Sequence, residues 1–481
     1  MKRSRLISLV LGLLLVLAIP IGIVSAAGPS TYGSTFQLQN LEATEANITI
    51  VFYEPDGSVA TTIEDTISAN GSNNYFAVLV DGLPDPFSGS AVVTSDKELR
   101  AISNLYGDDF AFGGAAAAGY TEGSAEMSLP LIMRNNSGYA TWFSVQNVGS
   151  EASTTVVTFT RGSAGTTWTH SAITIQPNAA YRYDQSDMAS LGDVFVGSAK
   201  VVSTNGQPLV ATAVELGPAS LYAYDGFTTS GQTSFVAPLF HYHNSGFSSS
   251  INVQNTGDAS TTVTIEYTPS DKPGGGTYGL ACEEAQEIGA GAGANFGLFA
   301  FVDASSLGYD CDCYNKNLGE RFIGSARVKT NSASQPLVAV VNQHNFSTNL
   351  AAAYNAFGPD DGSQCVSLPL MMDRNSNYWT SINVVNVGAE STTVTIEYSA
   401  NAKEGSPTHG QIPDDVVFDL DAGKSRSLLH APGGDPIMED YVGSASVCAA
   451  NSTDELLVIV NEQNMVATGD TLYTYNGFNL D

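Results

Sequence analysis

Two histidines, His241 and His243, are the best candidates for metal chemistry in this sequence. Residues two apart on a β-strand point to the same face, so two imidazoles there would suit zinc or copper. The sequence offers no third ligand, and a related segment carries Met133 and Asn135 at the same positions. We therefore expect ordinary strand residues and keep the pair only as a weak metal candidate.

Motifs for nucleotide binding and hydrolysis are also weak. Gly289, Gly291 and Gly293 mimic a dinucleotide-binding loop, but that loop needs a strand before it and a helix after it. Related segments predict a plain turn instead. The Gly-x-Ser-x-Gly pentapeptide of serine hydrolases does not occur. Acidic pairs such as Asp360-Asp361 and Asp414-Asp415 fall in loop-like stretches. We predict that the protein is not an enzyme, and an unrecognised hydrolase is the least favoured alternative.

Acidic loops make structural calcium the one cofactor worth considering. Residues 310–320 and 359–362 are rich in carboxylates, and calcium takes six to eight oxygen ligands. Neither segment has the ligand spacing of an EF-hand loop. The sequence therefore predicts no cofactor, with structural Ca²⁺ as a weak alternative.

Trp142 and Trp379 are candidate binding residues. Counted from the Asn that ends each strand, both share the parity of polar neighbours rather than of core residues. An outward-facing aromatic ring can stack against a sugar ring. The alternative, which the sequence favours, is packing against a neighbouring repeat, since a large apolar group at a surface usually marks some contact.

All five cysteines lie in the second half of the chain. In an exported protein they are expected to form disulfides, and an odd number leaves one thiol over. Cys282 is predicted to pair with either Cys311 or Cys313, and Cys365 with Cys448.

The first 27 residues predict export. Basic residues precede an apolar run from Leu6 to Val24, and small side chains follow it, as in a cleaved signal peptide (1–27). The alternative is an uncleaved membrane span. The chain has 18 basic and 48 acidic residues, giving a net charge of −30, which disfavours nucleic acid as a partner. We expect an extracellular protein, secreted or at the cell surface, with no membrane insertion after cleavage.

Internal repetition is the strongest signal in the chain. Three segments share a strand pattern ending in Asn-x-Gly: residues 142–149, 250–257 and 381–388; residues 36–40 are a looser copy. A second block, an aromatic residue, any residue and Gly-Ser-Ala, occurs in all four copies. The predicted boundaries follow: 28–127, 128–234, 235–365 with cysteine-containing insertions, and 366–481.

The repeats predict an all-β fold. Apolar residues recur at every second position, and β-branched residues dominate these runs. Seven or eight strands per copy match an antiparallel β-sandwich of about 100 residues. Short linkers then predict four sandwiches in an elongated array, each with its own core.

The first copy lacks the Leu-Pro-Leu or Ala-Pro-Leu strand with which copies two to four open (at Leu129, Ala237 and Leu368). One explanation is degeneracy of a terminal copy. Another is that this strand completes the preceding repeat, which would leave the last copy with an open edge for polymerisation.

At the level of segments such as 381–388 and 392–398, the repeat resembles the immunoglobulin-like modules found in tandem on bacterial cell-surface and secreted proteins. The resemblance implies a structural or adhesive role, and it supplies no catalytic residues. The first hypothesis is a non-enzymatic structural or adhesive protein that self-associates or binds a cell-surface glycan or protein. A carbohydrate-binding protein that uses exposed aromatics is the alternative.

Overall fold

The structure is a computed structural model, and it describes residues 28–69, 71–108, 112–228, 231–272, 275–307, 312–466 and 469–480. The predicted signal peptide and Cys311 lie outside these residues. The fold is almost entirely antiparallel β-structure, as the alternating pattern predicts.

The strands fall into four successive groups, here called units 1 to 4, and each group forms two sheets. In unit 1 the sheets have the orders β4-β1-β6-β7 and β3-β2-β5. Its strands are β1 Tyr32–Asn40, β2 Ala46–Tyr53, β3 Val59–Ile67, β4 Ser72–Phe76, β5 Ser90–Ser95, β6 Leu99–Gly107 and β7 Gly113–Ala118.

Unit 2 has the sheets β11-β10-β14-β8, with β12 also on β10, and β13-β9-β15-β16. Its strands are β8 Glu126–Arg134, β9 Ala140–Asn147, β10 Ser153–Arg161, β11 Thr166–Thr169, β12 Ile173–Ile175, β13 Ala180–Asp184, β14 Phe195–Ser203, β15 Leu209–Leu216 and β16 Leu221–Asp225.

Unit 3 has the sheets β17-β22-β19-β20 and β21-β18-β23-β24. Its strands are β17 Ser234–Tyr242, β18 Phe247–Asn255, β19 Thr261–Pro269, β20 Cys282–Ile288, β21 Gly293–Phe296, β22 Phe322–Thr330, β23 Leu337–Asn345 and β24 Leu350–Asn355. A short helix, α1 Asp312–Asn317, lies before β22.

Unit 4 has the sheets β28-β27-β30-β25-β33 and β29-β26-β31-β32. Its strands are β25 Cys365–Asp373, β26 Tyr378–Asn386, β27 Thr392–Tyr398, β28 Val416–Leu420, β29 Ser425–Leu429, β30 Tyr441–Ala449, β31 Leu456–Asn464, β32 Leu472–Asn476 and β33 Phe478–Asn479. Short 3₁₀ segments span Ala77–Leu79, Gln185–Asp187, Ala189–Leu191 and Ser305–Leu307.

Alternation along the strands explains why these segments form two-layered units. In β27 every second residue, from Thr392 to Tyr398, is buried, and the residues between are more exposed. Strands of this kind have one face for the interior and one for the surface.

The first strand of units 2, 3 and 4 stays within its own unit. It pairs with the strand that carries Gly-Ser-Ala: β8 with β14, β17 with β22, and β25 with β30. The idea that this strand completes the preceding repeat is therefore wrong. The sheet of unit 1 that contains β5 is one strand short, because the first copy has no Leu-Pro-Leu segment.

The predicted elongated array is also wrong, because the units close into a ring. Leaving aside the two-residue strand β33, the last strand of each unit lies against two others: β7 contacts β16 and β32, and β24 contacts the same two. Unit 1 meets unit 4 directly, since Ser367 Oγ donates to Gln39 Oε1 at 3.2 Å. The four last strands thus surround a common axis.

The cores are also shared rather than private. Val340, Ala351 and Ala353 of unit 3 belong to the buried cluster of unit 2. Leu457 and Ile459 of unit 4 belong to that of unit 3, and Ile102 and Ala116 of unit 1 belong to that of unit 4. Removing a unit would expose apolar surface on its neighbours, which is why a rod of separate beads does not form.

The described residues contain two disulfides, and both are among the predicted pairs. Cys282 bonds Cys313, which connects β20 to α1, and Cys365 bonds Cys448 across β25 and β30. No helix within the described residues is long and apolar enough to cross a membrane.

Candidate functional site: the axis of the ring

Four equivalent backbone N–H groups point to one place at the end of the axis. They belong to Gly114, Leu221, Ala351 and Leu472, which occupy the same register position in β7, β16, β24 and β32. The acceptors come from one residue of unit 4, Asp470.

Asp470 bonds every unit of the ring. Its Oδ2 accepts from Leu221 N at 3.0 Å, and its Oδ1 accepts from Ala351 N at 2.8 Å and Leu472 N at 3.4 Å. Its backbone oxygen accepts from Gly114 N at 3.0 Å. Only 1% of the residue is exposed. Burial raises the pKa of Asp470, and the three N–H donors oppose that effect by favouring the ionised form.

A second polar layer lies between neighbouring units, on the strands next to the axis. These strands are β6, β15, β23 and β31. The seventh residue of each is Leu105, Glu215, Gln343 or Glu462, and it faces the sixth residue of the equivalent strand in the next unit. Between units 3 and 4 the contact is a reciprocal amide pair. Gln343 Nε2 donates to Asn461 Oδ1 at 3.1 Å, and Asn461 Nδ2 donates to Gln343 Oε1 at 3.0 Å.

Between units 2 and 3 the same contact contains a carboxyl group. Asn342 Nδ2 donates to Glu215 Oε2 at 2.8 Å. Glu215 Oε1 and Asn342 Oδ1 are buried without a hydrogen-bond partner among the described residues. Both of these atoms are acceptors, whereas the amide pair between units 3 and 4 has a donor opposite an acceptor. A proton on Glu215 Oε1 would let it donate to Asn342 Oδ1 and so complete the reciprocal geometry. Burial correspondingly raises the pKa of Glu215 to about 8.

At the junction of units 4 and 1 the equivalent positions hold the same two residue types. Glu462 and Asn104 occupy the equivalent positions, and Asn104 Oδ1 is again buried without a partner within the described chain. Burial raises the pKa of Glu462 to about 8. The contact between units 1 and 2 instead joins Leu105 and Val214 in an apolar cluster.

At the other end of the axis the four strands open into a pocket of about 450 Å³. The equivalent residues at its centre are Ala118, Asp225, Asn355 and Asn476. Ala118 N donates to Asp225 Oδ2 at 2.8 Å, and Asp225 N donates to Asn355 Oδ1 at 3.0 Å. Asn476 Nδ2 donates to Asn355 O at 3.0 Å. These bonds join unit 1 to unit 2, unit 2 to unit 3, and unit 3 to unit 4 around the pocket.

The pocket is acidic and rich in hydrogen-bonding groups. Burial raises the pKa of Asp225 to about 7, and hydrogen bonds from Ala118 N and Thr212 oppose this effect. Asp361 and Glu122 add two carboxyl groups to the lining. The described lining residues include no Lys, Arg, His, Cys or Ser. Such a pocket suits a neutral polyhydroxylated or cationic ligand better than an anion.

The tryptophans predicted as binding residues lie elsewhere. Trp142 packs edge-on against Tyr32 of unit 1, with ring centroids 5.7 Å apart, and its Nε1 donates to Tyr32 OH at 3.3 Å. Arg182 lies 4.2 Å over the Trp142 ring. The contact with Tyr32 joins units 1 and 2, whereas the contact with Arg182 lies within unit 2. Trp379, near the start of β26, is half-buried.

The two histidines have different surroundings. His241 is buried, its Nε2 contacts Gln343 Oε1 at 2.8 Å, and its Nδ1 contacts Asn244 Nδ2 at 3.2 Å. Burial lowers the pKa of His241 to about 4. His243 follows the end of β17 and is exposed with φ 51°. Strand alternation therefore stops before His243, and within the described residues no three metal-binding side chains cluster.

The glycine-rich segment and the acidic loops have structural contacts. The segment with Gly289 and Gly291 is a turn between β20 and β21, and it touches unit 2: Ser198 Oγ donates to Gly291 O at 2.7 Å. Asp361 Oδ2 accepts from Gly358 N at 2.6 Å within its own loop. Asp312 pairs with Lys316 in α1. Asp310 and Cys311, which begin the other acidic segment, lie outside the described chain.

No protein-family model and no curated protein matches this chain. Among solved structures, Thermotoga maritima 1070 matches with 13% identity over 25% of this chain and 97% of its own, with a TM-score of 0.19. A glycoside hydrolase family 32 structure from Bifidobacterium adolescentis matches with 9% identity over 95% of each chain, at 0.14. A Salmonella alpha-2-macroglobulin mutant matches with 10% identity over 93% of this chain and 26% of its own, at 0.10. TM-scores this low establish no shared fold.

Proposed function

We propose that the protein is a non-enzymatic, extracellular structural or adhesive protein, in which four immunoglobulin-like sandwiches act together as one closed ring. The observation that carries this proposal is Asp470, which hydrogen-bonds all four units at the axis. A ring held this way presents its loops and its pocket in fixed relative positions. Fixed geometry suits a structural or adhesive module, which gains affinity when its binding groups need no ordering.

Two further features support an extracellular location. The chain carries two disulfides, and such bonds persist in oxidising compartments. Its charge of −30 favours solubility and opposes non-specific aggregation outside the cell.

We expect the exported protein to be compact in solution and to fractionate with the culture medium or cell surface. A compact chain of this length has a radius of gyration of about 22 Å, and a rod of four sandwiches would be clearly larger. Small-angle scattering and immunodetection in fractionated cultures measure the two quantities. Recovery of the protein in the cytoplasmic fraction would contradict the proposal, whatever its shape.

The second candidate function is carbohydrate binding, and the axial pocket is the observation that favours it. Amide and carboxyl groups of Asn355, Asn476 and Asp225 are suitable partners for sugar hydroxyls. This places the site away from Trp142 and Trp379.

If glycans bind in the pocket, Asn476→Ala is expected to reduce binding at least tenfold, the effect of about 1.4 kcal/mol. Trp142→Ala and Trp379→Ala are the matched controls and should bind as the parent does. Glycan arrays followed by titration give the affinities. Loss of binding only in a tryptophan variant would move the site to the outer face, and no binding to any glycan would remove this candidate.

A further inference from the structure

Unit 1 lacks the strand that covers one edge of the sandwich in the other three units. The covering strands β8, β17 and β25 run along β14, β22 and β30. In unit 1 the equivalent strand, β5, is the outermost strand of its sheet within the described chain. Its outer edge presents backbone groups to which a further strand can pair.

Apolar residues that are covered in the other units are open in unit 1. Ala91 is exposed, whereas Ala199, Ala326 and Ala445 at the same position are buried. Val93 is half-buried, whereas Val201 is fully buried. The interior of unit 1 is therefore accessible from this side.

A second border of the gap is the segment after β7. In the other units the matching residue, Phe227, Phe357 or Phe478, pairs through its backbone with the covering strand. In unit 1 this residue is Tyr120. A cavity of about 260 Å³ lies between Tyr120 and the β5 edge, with Leu38, Val93 and Leu99 in its lining. We call this gap the unit 1 slot.

We propose that the unit 1 slot binds an extended strand of another polypeptide, which completes the sheet by pairing with β5. The covering strands of the other three units show which strand fits at this position. It has small or apolar residues on its inward face, such as Met127 and Leu129 in β8. Strand addition of this kind draws affinity from backbone hydrogen bonds and specificity from the side chains that enter the interior.

The partner strand is expected to be straight, without proline. In units 2 to 4 the covering strand bulges at its proline, and a tyrosine of the last strand holds the bulge: Tyr224 OH donates to Leu131 O at 2.7 Å, and Tyr475 OH donates to Leu370 O at 2.7 Å. The equivalent residue of unit 1 is Ala117. Ala117 has no hydroxyl that could donate a hydrogen bond to the backbone oxygen of a bulge.

Charge gives a second constraint on the partner. Lys97 and Arg100 line the slot in a chain with few basic residues. In unit 2 the covering strand brings Glu126 against Lys200 at 2.7 Å. An acidic residue beside the apolar positions of the partner strand would complement the slot in the same way.

The test uses the exported full-length protein and a synthetic peptide with the sequence of residues 124–129, Ser-Ala-Glu-Met-Ser-Leu, which stops before the proline. Saturating peptide is expected to raise the thermal midpoint by about 2 °C or more, because a ligand that binds only the folded state stabilises it. Hydrogen exchange should slow at β5. A scrambled peptide should have no effect.

Three variants assign the effect to the slot. Ala91→Asp places a charge beneath the incoming strand and should abolish the shift in thermal midpoint. Because Ala91 is exposed in the free protein, the substitution should change the stability of the fold little. Thr94→Asp, exposed on the opposite face of β5, should leave the shift unchanged. Lys97→Glu should weaken peptide binding several-fold.

Three results would overturn the proposal. One is the absence of any shift with the strand peptide, and another is an equal shift in Ala91→Asp. The third is mass spectrometry showing that the exported protein retains residues 1–27, together with protection of β5 before any peptide is added, which would assign the slot to the leader.

Discussion

Replacing Asp470 with alanine is expected to lower the free energy of unfolding by about 3–5 kcal/mol. The substitution removes the acceptors of Leu221 N, Ala351 N and Leu472 N, and each buried N–H left without a partner costs about 1–3 kcal/mol. The loss falls where the units meet, so it should also loosen the ring. Denaturant unfolding measures the first effect, and small-angle scattering measures the second.

Two controls make this result specific. Asp470→Asn keeps one carbonyl oxygen and should recover part of the loss. Asp96→Ala removes an exposed carboxylate that bonds Asn47 in unit 1, and it should change stability by less than about 1 kcal/mol. If Asp470→Ala unfolds at the parent's denaturant concentration with an unchanged radius of gyration, the axial bonds do not hold the ring.

Stability should fall as pH rises from about 5 to about 9. The folded state holds the pKa of Glu215 and of Glu462 at about 8, above the ordinary value of 4.5. Between the two values the folded chain binds more protons than the unfolded chain, so raising the pH favours unfolding. The stability that these groups preserve is complete below about pH 4 and is lost as the pH passes 8. Thermal midpoints at pH 5, 7 and 9 measure the effect.

The repeat itself supplies the matched variants. Gln343 shows that an amide fits this position, so Glu215→Gln with Glu462→Gln should flatten the pH dependence and raise the midpoint at pH 9. Gln343→Glu would place a third carboxyl group opposite an amide in this layer, and it should steepen the pH dependence of stability. An unchanged slope in the double glutamine variant would show that these carboxyl groups do not control the pH response.

Alternation of side chains was sufficient to predict the strands, because a strand that covers a core must place every second residue inside. Comparison of the repeats also predicted that the first copy lacks a strand, since the segment with which the other copies open is absent from its sequence. The partner of Cys282 followed from which cysteines share a copy, and Cys365 with Cys448 was the pairing left for the other two. The sequence could not distinguish Cys311 from Cys313 as the partner of Cys282, because residues two apart are both within reach.

Closure of the ring was not predictable by the same reasoning. The contacts between units use small or polar side chains, such as Ala116, Asn355 and Asn461, which read as ordinary surface residues in a single repeat. One signal was available: Glu215 and Glu462 end or interrupt long apolar runs, where a carboxyl group needs a special partner. Asp470 had no such signal, because it lies in a Gly-Asp-Thr turn like many exposed ones.

Because the four units belong to one chain, equivalent positions at the axis can hold different residues. Four identical subunits would have to place four carboxylates at the spot that Asp470 occupies, and their mutual repulsion at close range would force most of them to stay protonated. A continuous polypeptide can place one acid there and three unrelated residues beside it. Covalent linkage also lets a single unit lose its covering strand while its three companions keep theirs, so that the assembly has one attachment point instead of four and a defined direction.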